Sequence, residues 1–153
     1  MESLRYLTAV AAIAFTLPAQ AAITDPEVVL YRASGVVDNT GGGGSTATSF
    51  SCTPFSGVTE NVRVVIRAQN GVLLVNTIGT VSHLNTVVFS TSDVGLFNDV
   101  NLATGAVAGG TVAIAATSTS VNCTGMLIQP NTTAPVGVQL RMIRFSPLSG
   151  TQE

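Results

Sequence analysis

The chain has 153 residues, of which 46% are hydrophobic and only 9% charged, with a formal net charge of −2. All of its cations except the histidine are arginines, and they form no cluster that could neutralise a phosphate backbone, which excludes nucleic acid as a partner. The length suits a single domain of roughly 130 residues with its own core behind a short leader.

Residues 1–21 read as a secretory signal peptide. Arg5 supplies the positive n-region, residues 6–17 form an apolar run too short for a membrane span, and Pro18 ends it. Ala19 and Ala21 are the small residues that a signal peptidase reads, so cleavage is expected after Ala21, with Ala22 as the near alternative. Residues 22–153 then form one domain without a further membrane span, secreted or periplasmic.

The mature part is rich in Val, Thr and Ser and is punctuated by Gly, Asn and Pro. Strands are expected over residues 28–37 and 46–52, joined by a loop that holds Gly41, Gly42, Gly43 and Gly44. Residues 61–68 alternate most clearly, with Val62, Val64 and Ile66 on one face and Arg63 and Arg67 on the other. Asn70-Gly71 suits a tight hairpin, and residues 72–78 would return antiparallel. A further strand is expected over residues 80–90, and a long strand or a pair over 111–123, continued by 126–129. Residues 136–145 would close the domain, with a bulge or two-sided burial where Ile143 and Phe145 break the alternation.

Seven or eight short strands of this kind predict an all-β fold, a single immunoglobulin-like antiparallel β-sandwich. Cys52 and Cys123 are the only cysteines, and export favours a disulfide between an early and a late strand. Closing a loop of about 70 residues would stabilise the fold by about 4 kcal/mol in the chain-entropy model. True immunoglobulin domains carry a tryptophan between their cysteines and a tyrosine two residues before the second. This chain has no tryptophan and has Val121 at the tyrosine position, so the expectation is one of architecture rather than family.

The segments YRASGVVDNTGGGG (31–44), SFSC (49–52), HLNTVVFST (83–91) and GTVAIAATS (110–118) span much of the domain. Through them the chain resembles small secreted bacterial β-sandwich proteins of uncharacterised activity. The resemblance implies no catalytic residue, cofactor or ligand.

Groups for chemistry are sparse. His83 is the only histidine, and no nucleophile elbow accompanies it. On a strand it would share a face with Val81, Val87 and Phe89, as a half-buried structural residue. Asp93, Asn98, Asp99 and Asn101 form an oxygen-rich stretch, but their spacing fits an ordinary turn better than a calcium loop. One histidine and two bridged cysteines do not make a zinc site, so neither metal nor cofactor is expected. The glycine loop 41–44 lacks the lysine of a phosphate cradle, and serves either as a flexible connection or as a contact loop for a ligand. The leading expectation is an exported, non-enzymatic domain with a binding or structural role at the cell surface or in the periplasm, its partner an unknown protein or surface or, through weakly protected strand edges, a further copy of itself. The alternative is a small secreted hydrolase that uses His83 with Asp93 or Asp99.

Overall fold

The computed structural model describes residues 27–40, 45–130 and 136–145. The signal-peptide reading of residues 1–21 and the glycine loop Gly41–Gly44 lie outside them. The described residues form ten strands and no helix. In chain order these are β1 (Val28–Asp38), β2 (Ala47–Pro54), β3 (Glu60–Arg67), β4 (Leu73–Val81) and β5 (Val87–Ser90). They continue as β6 (Asp99–Asn101), β7 (Val107–Ala116), β8 (Val121–Ile128), β9 (Gly137–Leu140) and β10 (Ile143–Arg144).

Two five-stranded sheets stack, one in the order β10-β1-β7-β3-β4 and the other β6-β5-β2-β8-β9. The first is antiparallel throughout, whereas β5 and β6 pair in parallel. The expected seven or eight strands are ten among the described residues, because β6 was not expected and the closing segment divides into two. Residues 80–90 are not one strand: β4 ends at Val81 and β5 begins at Val87. The closing segment splits too, with β9 pairing to β8 in one sheet and β10 to β1 in the other. The break in alternation before Ile143 is therefore a change of sheet rather than a bulge.

Period-two sequence builds the interior. Val62, Val64 and Ile66 of β3 face inward and pack with Ile114, Val112, Leu30, Val121, Phe50 and Phe89. Each such side chain contributes about 1.5–3 kcal/mol on leaving water. Gly71 takes a φ of 84° at the β3–β4 hairpin, a conformation that glycine adopts without steric cost. β1 departs from strict alternation because its register to β7 shifts at three places, one of them at Gly35 with φ 88°.

A second, smaller cluster lies outside the sandwich. Loop 91–98 folds over the outer face of the second sheet, where buried Val94 packs with Ala47 and Ile128, flanked by Phe97 and Met126. This explains why the first four residues of β2 are all buried, although a half-buried strand would alternate.

Cys52 and Cys123 form the disulfide expected from the sequence. They face each other across the adjacent strands β2 and β8, with Cα atoms 4.2 Å apart. In immunoglobulin domains the corresponding bridge joins the two sheets. Here it lies within one sheet, on the core side, and the architecture is a β-sandwich without that hallmark.

Polar ties hold the sheets together at both ends. At one end the Thr48 hydroxyl donates to Val37 O (2.9 Å) and accepts from Val37 N–H (2.9 Å), so a β2 side chain serves both backbone groups of a β1 residue. Thr91 Oγ1 accepts from Thr48 N–H nearby (3.0 Å). At the other end the buried Tyr31 hydroxyl donates to Asn122 Oδ1 (3.0 Å). Within the first sheet, the buried Glu27 pairs with Arg63 of β3, and the Thr117 hydroxyl, just after β7, donates to the buried Glu60 of β3. Buried carboxylates are tolerable only with such partners.

Candidate binding surfaces

Three loops meet at one end of the sandwich, where β2 leads to β3, β4 to β5 and β7 to β8. Backbone hydrogen bonds stitch them: Phe55 N–H donates to Ser120 O (2.8 Å) and Leu84 N–H to Pro54 O (2.9 Å). Asn85 N–H donates to Ser82 O (3.0 Å) and closes a turn over residues 82–85. Gly57 N–H donates to His83 Nδ1 (3.1 Å), which ties the first loop to the second.

These loops present apolar side chains to water. Phe55 is 55% exposed, Val58 60% and Leu84 62%. Leu84 also holds a φ of 63°, in the left-handed region that non-glycine residues seldom occupy. Such strain costs about 1–2 kcal/mol, and the turn's hydrogen bonds maintain it. Strain of this kind concentrates at functional sites.

His83 is therefore not the half-buried strand residue expected from the sequence. It sits in an exposed turn, and only Val81, Val87 and Phe89 of the expected face belong to strands. The sequence signal was present: Ser82, Asn85 and Thr86 are turn residues, but the matching parity of Val81 and Val87 masked them. The acids considered as its partners lie elsewhere. β5 separates His83, before its first residue, from Asp93, beyond its last. Asp93 is exposed, and Asp99 Oδ2 accepts from Val94 N–H (3.3 Å) within its own loop. Among the described residues no hydrogen bond or ion pair joins His83 to either carboxylate, although Asp99 lies opposite Val88 near the start of β5.

The stretch containing Asp93, Asn98, Asp99 and Asn101 is the wrap that carries Val94 and Phe97 onto the second sheet, and then β6. Among the described residues no group of three His, Cys, Asp or Glu side chains is placed to hold a metal ion. Nearby, buried Asp38 accepts from Thr40 N–H (3.1 Å) and from the Thr40 hydroxyl (2.9 Å). These bonds anchor the stem of the loop that leads into Gly41–Gly44. No helix among the described residues is long and apolar enough to cross a membrane.

No protein-family model matches the chain, and no curated protein matches it. Among solved structures, the fold is similar to that of Thermotoga maritima 1070, with a TM-score of 0.50 at 9% sequence identity. The match covers 74% of this chain and 91% of that one. At so low an identity the likeness is one of fold, and it extends over nearly all of the solved domain.

Proposed function

We propose that the protein is an exported, non-enzymatic β-sandwich that binds a protein or surface partner at the cell surface or in the periplasm. The contact is the loop end formed by Phe55, Val58 and Leu84. The observation that carries this reading is Leu84, an exposed leucine kept at φ 63° beside two further exposed apolar residues. An apolar side chain held in water at a conformational cost is what a contact residue needs and a plain connection does not. Export is supported by the signal-like residues 1–21 and by the Cys52–Cys123 disulfide, which fits an oxidising compartment.

The test uses the mature protein and the envelope fraction of the producing cells. Wild type is expected to be retained, and Phe55→Ser with Leu84→Ser to be released, with unchanged far-ultraviolet circular dichroism. Equal retention of both proteins overturns the loop contact. A hydrolytic activity lost in His83→Ala would overturn the non-enzymatic reading. Intact mass of the exported chain, expected to begin at Ala22, tests the leader.

A further inference from the structure

Among the described residues, four strands end the two sheets, and three of them are short: β10 has two residues, β6 three and β9 four. Short edges expose few unpaired backbone groups. The remaining edge strand, β4, has nine residues and is laddered on one side alone, to β3. Its sequence LLVNTIGTV contains no charge and no proline, residues that usually blunt an open edge, and the one irregularity in its ladder to β3 lies near its start, at Leu74. Ile78 is 45% exposed and Leu73 42%.

We propose that β4 pairs antiparallel with β4 of a second copy of this chain, across a two-fold axis at Thr77. The register follows from strand geometry. Alternate residues of a strand aim their N–H and C=O groups at the same edge. Two identical antiparallel strands can match those groups only if each residue meets one of the same parity, so one residue must face its own copy. Thr77 is the middle of the nine, and the pairs nearest to it fall within residues 75–81, where β4 keeps a regular register to β3. It sets Asn76 against Ile78 and Val75 against Gly79, and the regular ladder stops short of the irregularity at Leu74.

A second copy fits the edge because nothing along the seam repels it. No β4 position is charged, so no like charges come face to face. Arg63, which lies opposite Ile78 on β3, is already paired to Glu27. Arg67 lies opposite Leu73, so the two copies of Arg67 fall at opposite ends of the seam. A net charge of −2 sets only weak repulsion between whole molecules. The first sheet then continues through both copies, and the one long open edge is removed. The interface deepens the proposed binding role, and its test leaves the loop end intact so that either reading can fail alone.

The experiment is size-exclusion chromatography with light scattering on the mature, oxidised chain over a range of concentrations. Twice the monomer mass is expected, and Ile78→Lys and Thr80→Lys, both at exposed positions, should each return it to the monomer with unchanged circular dichroism. Thr77→Cys should yield a disulfide-linked dimer on oxidation, while Thr80→Cys should not. Phe55→Ser with Leu84→Ser should leave the dimer intact. A strict monomer at high concentration, or a dimer that survives both lysine variants, overturns the proposal. Crosslinking through Thr80→Cys rather than Thr77→Cys overturns the register.

Discussion

A Cβ placed on Gly79 would lie 2.7 Å from Cζ of Phe89 and 3.1 Å from its Cε1. Gly79 belongs to β4 and Phe89 to β5, in opposite sheets, so the glycine makes room for the ring that closes this side of the core. Phe89 is fully buried, and its ring has little freedom to move aside. Gly79 has no left-handed φ, so the close approach is its structural role. Gly79→Ala is expected to destabilise the fold by about 1–3 kcal/mol, the usual cost of overpacking. In a double-mutant cycle measured by urea unfolding, Phe89→Leu should absorb part of that cost. Full additivity would show that the two side chains do not meet.

The hydroxyl of Thr48 serves Val37 where β1 and β2 lie in different sheets. Thr48→Val keeps the shape but leaves Val37 N–H without that acceptor. The expected loss is about 1–3 kcal/mol, the cost of an unsatisfied buried group, and Thr48→Ser should retain most of the stability. Equilibrium denaturation of the two variants checks this. A larger loss for serine than for valine would point to the methyl contacts instead.

Reduction tests the disulfide. Cys52 and Cys123 lie in neighbouring, hydrogen-bonded strands, so the reduced protein keeps its β2–β8 ladder. The bridge still closes a 71-residue separation, and removing it should cost about 4 kcal/mol through the unfolded state. Thermal unfolding with and without reductant should show a clear fall in midpoint with native circular dichroism retained at low temperature. Intact mass should rise by two hydrogens on reduction.

The parts of the fold legible in the sequence are those set by local rules. β3 was readable because Val62, Val64 and Ile66 keep strict period two against Arg63 and Arg67, and Asn70-Gly71 marked its hairpin. The cysteine pair was readable from compartment logic, but not its place within one sheet, since spacing does not reveal which strands are neighbours. β6 was missed because three residues carry no periodicity, and its parallel pairing to β5 is a tertiary choice. The change of sheet between Leu140 and Ile143 was seen only as a break in phase. The candidate surface was the least legible part. The apolar Phe55, Val58 and Leu84 suggest core in a sequence, and only the loop geometry turns them outward.

Leu84 connects stability to function most directly. Its φ of 63° strains a leucine but not a glycine. Its N–H bond to Pro54 O uses backbone alone, so Leu84→Gly retains that link between the loops. The variant should therefore be more stable than wild type by about 1 kcal/mol, read as a higher thermal midpoint. Loss of the exposed leucine should at the same time weaken retention on the envelope fraction. Leu84→Asn should behave alike, because asparagine tolerates the left-handed region. A rise in stability with undiminished retention would assign the strain to the turn and remove Leu84 from the contact. A fall in stability would mean that the leucine packs against its neighbours more than its exposure indicates.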